Sequence, residues 1–362
     1  MHRPRQLDGD HAIAEPSLAS SGLRVAADHL ASVVARLFEG VGLSPDDARQ
    51  AADVLVLADL RGVDSHGVSN MLRRYLDWCR SGQANPRPRW RVATETPATA
   101  NLDGDHGLGV VVAPRAMQIA IDKARAVGVG VVTVHSTTHL GMAQYHALLA
   151  VPHDMIGVCL TATPPFMVPT FGRGPRLGTN PIAVAAPCAE EPPFVYDAAT
   201  TVVAGNKIST ALRLGKPLAG GLLADVDGTP ILQPSPPPPD YTRLLPLGST
   251  PETASHKGYG LACVVEVLSS VLGGLTFGMQ NDAYGHLLLA IDVAAFSPVA
   301  EFKQTMDRYL RTLKATPPAP GHARVLVPGQ LEAEAERERR AHGIPLHPEV
   351  VAWFEAVGAP LA

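Results

Sequence analysis

The chain has 362 residues, 46% hydrophobic and 18% charged, a composition that supports two or three compact units with a buried core and excludes a disordered protein. A net charge of -4 supplies no basic face for nucleic acid, and no run of roughly 18 apolar residues offers a membrane span. The opening, MHRPRQLDGDHAIAEPSLASSG, lacks the apolar region of a signal peptide, so residues 1–25 are expected to form a disordered leader.

In SPDDA, Ser44 supplies a cap, Pro45 suits a first helical turn, and two acids complement the positive end of the helix dipole. Ala51, Val54, Leu55 and Ala58 then follow a 3.6-residue period, so a packed helix is expected up to Arg61. Next comes ADLRGVDSHGVSNMLRRYLDWC (58–79), which crowds Asp64, Ser65 and His66 against Gly67. NMLRRYLDWCRSG predicts a second helix ended by Gly82, and ANPRPRW an extended linker. ATANLDGDHGLG reads as turns, APRAMQIAIDKARAVG as an amphipathic helix, and VGVVTVHS as a buried strand. MIGVCLTAT, PIAVAAP and PFVYDAA read as further strands, and strands alternating with helices indicate an α/β fold.

The prolines of LQPSPPPPDY ask for a stiff surface loop. HKGYGLACVVEVLSSVLGG predicts a buried apolar helix, GHLLLAIDV a late strand, and EFKQTMDRYLRTLKA an amphipathic helix. TPPAPGHARVLVPGQ then links to the charged helix LEAEAERERRAHG. Four cysteines, Cys79, Cys159, Cys188 and Cys263, form no C-x-x-C pair, so buried thiols in a reducing cytoplasm are expected.

A Rossmann site would need G-x-G-x-x-G between strand and helix, so that backbone N–H groups can approach a pyrophosphate. GVGVVT at Gly128 and GRGPRL at Gly172 lack the third glycine, and no Walker-type loop occurs. Composition and spacing alone therefore reveal no cofactor. His135, His139 and His146 invite a metal reading, but the turn at Gly141 breaks helical spacing and no carboxylate completes a zinc site, so no metal is expected. DSHG taken alone is accounted for by a helix cap.

Six stretches in order change that reading: ADLRGVDSHGVSNMLRRY, HSTTHLGMAQY, PRLGTNPIAVAAP, YDAATTVVAGNK, LLPLGSTPETASHKGYGLACVVEVL and VPGQLEAEAE. Together they resemble the malate/L-lactate dehydrogenase family, which also includes ureidoglycolate, sulfolactate and diketogulonate enzymes and a cyclic-imine reductase. The resemblance implies a non-Rossmann, mixed-sheet domain binding NAD or NADP at 96–284. It also implies a mainly helical unit for substrate and dimerisation from 26–95 and 285–362, and a cytoplasmic homodimer acting on a small molecule. The expected reaction interconverts a 2-oxo acid and its L-2-hydroxy acid; reduction of a cyclic imino acid, or a degenerate non-catalytic member, are the alternatives.

His66, with an ordinary pKa near 6.5, is the expected proton donor and acceptor. By resemblance, Ser65 and Asp197 form its relay, and His139 is a second proton acceptor or a cofactor contact. A substrate carboxylate asks for an arginine. Many members carry one four residues after this histidine, where Asn70 stands here, leaving Arg73 or Arg74 to substitute and Tyr75 to donate a hydrogen bond. The resemblance assigns the cofactor to His139, Leu140, Gly141, Met142 and Ala143, to Thr179 and Asn180, to the backbone of Pro187, Cys188 and Ala189, and to Asp225, Lys257, Arg324 and Gly329. Departures from the family pattern are Asn70, YDAATT for LDMATS, a shortened region after Gly274, and GGLLADVDG where a tryptophan is usual.

Overall fold

The computed structural model describes residues 23–239, 242–277 and 283–361. The leader expected at 1–25 thus falls almost wholly outside the described residues, as does the end of LQPSPPPPDY. At the start, β1 (Arg24–Val25) precedes α1 (Ala27–Gly40) and α2 (Pro45–Leu60). Ser44 caps α2 as expected, its hydroxyl accepting the Asp47 N–H at 3.2 Å. A wide turn over 68–72 leads into α3 (Arg73–Ser81), which Gly82 ends with φ 78°.

The central sheet takes in β2 (Arg91–Glu95) and β3 (Thr99–Gly107), then α4 (Gly109–Val127) crosses to β4 (Val129–Thr137). After α5 (Ala143–Leu148) come β5 (Met155–Ala162), β6 (Ile182–Ala186) and β7 (Phe194–Ala198). Next are α6 (Gly205–Arg213), α7 (Ser255–Glu266), β8 (Tyr284–Asp292) and α8 (Val299–Lys314). The chain ends with α9 (Gln330–His342), β9 (Ile344–Pro345) and α10 (Pro348–Ala356). The seven-stranded order is β2-β3-β4-β8-β5-β6-β7, with only β3 and β4 parallel, and β1 pairs with β9 apart from it. The fold is therefore mixed α/β, with helices covering the sheet.

Two apolar clusters organise this. One joins Phe38, Leu55 and Tyr75 to Val350 and Phe354, tying the first helices to the last. The other packs Met117 and Ile121 of α4 on Leu102, Val132 and Leu288 of the sheet. Between them runs the connection from β4 to α5, which carries His139.

Three expectations are corrected. The turn-rich ATANLDGDHGLG is strand β3, because Ala100, Leu102, Gly104 and Gly107 alternate inward; its turn residues serve a bulge at Asp105 and His106, φ 49° and 55°. β8 sits between β4 and β5, so the sheet claims the segment just after residue 285 that was expected in the helical unit. The apolar α7 is covered on one side only: Ala262 and Val265 are buried, whereas Leu261 and Val264, with Val271 in the following turn, are exposed. All four cysteines are free, Cys79 and Cys159 buried and the other two half-buried.

Candidate active site

Asp59 at the end of α2 accepts the Val68 N–H at 2.9 Å, drawing the intervening loop over itself. A Cβ at residue 67 would overlap the Asp59 carboxylate, so this close crossing requires glycine. The loop presents His66, with Ser65 Oγ 2.9 Å from its Nδ1. Asn206 of α6 fastens the same loop, donating to the Ser65 carbonyl at 2.8 Å.

His139 leaves the end of β4 and turns at Gly141, φ 78°. Its Nδ1 accepts the Gly141 N–H at 3.1 Å and lies 2.7 Å from the Tyr75 hydroxyl. A backbone N–H can only donate, so Nδ1 holds a lone pair and the neutral ring carries its proton on Nε2. Two fully buried histidines clamp this segment. His286 donates from Nε2 to the Thr138 carbonyl at 3.0 Å, and His146 to the Leu140 carbonyl at 2.8 Å. The His66 and His139 rings stack, centroids 5.6 Å apart at 17°.

Burial dominates the titration of these groups. His66 is lowered to about 4, first by desolvation and then by the charges of Lys207 and Arg74. Desolvation, then His66 and Arg74, drive His139 well below its ordinary value. His146 falls to about 4 and His286 to about 3, both mainly through burial. Asp197 moves the other way, to about 7, because burial outweighs the hydrogen bonds from Gln144.

These side chains border a cavity of about 370 Å³. Of the residues expected in the site, Ser65, His66, His139, Leu140, Gly141, Met142, Ala143, Thr179 and Asp197 line it. Asp197 Oδ2 accepts the Gln144 N–H at 2.9 Å, and among the described residues no hydrogen bond joins it to Ser65 or His66. Arg74 borders a smaller adjoining space with His66, His139 and Tyr284. Arg73 turns away to α10, over the Trp353 ring at 4.9 Å and beside Glu349. Tyr75 is buried and reaches the site through His139.

The remaining candidates lie elsewhere. Asn180 is buried structural material, accepting the Thr163 N–H and donating to Ala262 O and Glu266. Pro187, Cys188 and Ala189 do not border the cavity; the Ala189 N–H, like those of Glu190 and Glu191, is taken by the Asp307 carboxylate of α8. Asp225 closes an exposed turn through the Asp227 and Thr229 N–H groups. Arg324 pairs with both oxygens of Glu334, Gly329 borders a separate cavity, and Lys257 is exposed on the first turn of α7. Neither His135 nor His146 joins His139 in a ligand set, and the described residues contain no cluster suited to a metal.

Sequence reasoning missed Lys207, which borders the cavity from α6, and the chain of contacts behind Asp197. Buried Arg61 donates to Gln144 Oε1 at 2.7 Å and to Glu336 of α9 at 2.9 Å, while the Gln144 backbone holds Asp197. Lys207 and Gln144 both lie inside quoted motifs, YDAATTVVAGNK and HSTTHLGMAQY, which were the available signal.

Residues 25–355 match the family profile described as malate/L-lactate dehydrogenase. The chain is 38% identical over 347 residues to a malate dehydrogenase of Pyrococcus abyssi, covering 91% of this chain and 92% of that one. It is also 38% identical over 308 residues to an L-sulfolactate dehydrogenase of Methanocaldococcus jannaschii, covering 83% and 86%. Among solved structures, a malate dehydrogenase from Entamoeba histolytica superposes with a TM-score of 0.89 at 32% identity, covering 94% and 98%.

Proposed function

The chain belongs to the malate/L-lactate dehydrogenase family, and we propose that it interconverts a small 2-oxo acid and its L-2-hydroxy acid using NAD or NADP. As a member it is an oxidoreductase acting on CH–OH groups. The observation that carries the substrate reading is a neutral His66 stacked on His139 in a cavity that two cations, Arg74 and Lys207, influence.

The cavity suits a nicotinamide. Among the described residues Thr161 Oγ1 in its wall is buried without a hydrogen-bond partner, and His139 keeps Nε2–H as its donor, so both can meet a carboxamide. Such a ring, when bound, supplies or accepts the hydride at the substrate carbon. We read the mixed sheet as a non-Rossmann cofactor domain, since only one strand pair is parallel.

In the oxidation direction, neutral His66 takes the hydroxyl proton, with Ser65 fixing its ring. Arg74 and Lys207 hold the substrate carboxylate. Because both cations depress His66, a bound carboxylate offsets them and raises its affinity for the proton. In reduction the same imidazolium protonates the nascent alkoxide. His139 is a poor base here: its Nδ1 is occupied by two donors, so it acts as a hydrogen-bond donor through Nε2. Asp197, near 7, holds or releases a proton at neutral pH in the same cavity, although its carboxylate is held by the Gln144 N–H and not by Ser65.

We also read a cytoplasmic homodimer, the exposed apolar stripe of α7 offering a face for a second copy. Light scattering after gel filtration tests this; a monomer at micromolar concentration removes it.

Titration of NADH and NADPH, followed by nicotinamide fluorescence, tests the cofactor. Oxidation of the bound nucleotide on adding 2-oxo acids, lost in His66→Ala, supports the reaction. Turnover of piperideine-2-carboxylate alone would replace the 2-oxo acid with a cyclic imine. If neither nucleotide binds at high micromolar concentration, the chain is a non-catalytic relative.

A further inference from the structure

A second cavity, about 410 Å³, lies against the first, and Ser65, Val203 and Lys207 border both. Apolar side chains make most of its wall: Val203, Ile208, Ala211, Leu214, Leu218 and Leu222. Ile208 and Leu218 are buried in an apolar cluster against which Leu222 packs, so this wall is built into the fold. Its polar side chains at the α3 end are already engaged. The Asn70 amide donates to the Asp64 carbonyl at 2.7 Å, and the Thr210 hydroxyl donates to Asn206 O at 2.9 Å.

Asn70 and Leu222, far apart in sequence, border this space together, the one an uncharged amide and the other an aliphatic side chain. The two lysines that border it are poorly placed for a second anion. Lys207 is shared with the catalytic cavity, where it acts on His66, and Lys216 is solvated at the rim. An anion inside would face aliphatic carbon without a dedicated partner.

We propose that this cavity receives the substrate side chain, and that the preferred substrate is a 2-oxo acid with one carboxylate and a branched-alkyl or aryl side chain. Asn70 and Leu222 are its specificity-determining residues. This rests on the reading of the chain as a 2-oxo acid reductase. Malate and sulfolactate, which name two relatives, each carry a second anionic group, which this side chain would lack.

The test is a series of initial rates with pyruvate, 2-oxobutyrate, 4-methyl-2-oxopentanoate, phenylpyruvate and oxaloacetate, using whichever reduced nucleotide binds. Each buried methylene in a fitted apolar pocket changes kcat/KM by roughly tenfold or more. Accordingly, 4-methyl-2-oxopentanoate or phenylpyruvate should exceed pyruvate by about 100-fold, with oxaloacetate below both. Leu222→Trp should cut the ratio of bulky substrate to pyruvate by about tenfold, and Asn70→Arg should raise the ratio of oxaloacetate to bulky substrate. Preference for oxaloacetate or pyruvate in the unaltered protein overturns the pocket and leaves the 2-oxo acid reading standing. Nucleotide binding with no turnover of any of these acids overturns both.

Discussion

The space around His66 and the space beside Asn70 share Ser65, Val203 and Lys207, yet they bury different things. The first holds titratable groups away from water: His66 near 4, His139 lower than usual, Asp197 near 7. Holding them there takes an extended polar scaffold, from Arg61 and Gln144 to the two histidine clamps. The second is walled mainly by aliphatic side chains; Asn70 and Thr210 there bond to backbone, Ser65 to His66, and Asp64 pairs with Arg339. Chemistry needs titratable groups held at shifted protonation states, whereas selection of a side chain needs volume and an apolar wall. Changes to the first space should act on kcat or on pH dependence. Changes to the second should act on ratios between substrates.

The largest effect expected on the catalytic side is His66→Ala. Loss of a general acid/base should lower kcat by about 10²- to 10⁴-fold, with nucleotide affinity by fluorescence changed less than about twofold. A kcat within a few-fold of the original would move the proton role away from His66. Next is Arg74→Ala: if Arg74 holds the substrate carboxylate as proposed, losing this charged hydrogen-bond donor should raise KM by roughly 10- to 100-fold, from about 1.5–3 kcal/mol. Arg73→Ala is the matched control. Its guanidinium lies over Trp353 beside Glu349, so KM should change by less than about twofold. Equal effects from the two would erase the distinction the geometry draws.

A subtler effect is expected from Asp197→Asn. The folded carboxyl titrates near 7 against an ordinary 3.8, so an inflection near pH 7 in the rate profile should vanish in the variant. The linkage has a definite sign. Between 3.8 and 7 the folded state binds more protons than the unfolded one, so this group's contribution to stability falls as pH rises through that window. The substitution should therefore raise Tm more at pH 8 than at pH 5, measured by thermal melts in matched buffers. A larger gain at pH 5 would show that Asp197 is ionised and stabilised in the fold. The smallest change is expected from Gln144→Glu, which keeps the Gln144 backbone N–H on Asp197 and alters the side chain facing Arg61. It should shift the Asp197 inflection with less loss of kcat than Asp197→Asn, read from the same pH profile.

Much of this architecture is legible before any coordinates. The cap at Ser44, the period of Ala51, Val54, Leu55 and Ala58, and the β-branched run before His135 are local signals, and each local signal found its element. The crowding of Asp64, Ser65 and His66 likewise marked a loop that borders the cavity. Legibility fails where the deciding partner is distant in sequence. ATANLDGDHGLG reads as turns until β4 lies beside it. Arg73 and Arg74 are neighbours in sequence but about 100° apart around a helix, so one meets α10 and the other the site. Where Asp225, Lys257 and Arg324 lie was likewise not legible: all three are exposed and outside the His66 cavity.

From its residues alone, then, the chain determined an α/β fold, the positions of most helices and strands, and a histidine-centred site in a recognisable run of motifs. Such features depend on side-chain periodicity and on neighbours a few residues apart. Only the tertiary structure decided that burial lowers the pKa of His66, that Lys207 and Gln144 border its cavity, and that Asn70 and Leu222 share one largely apolar space. Burial, electrostatic coupling and cavity shape are properties of surfaces brought together from distant segments, and no local pattern encodes them.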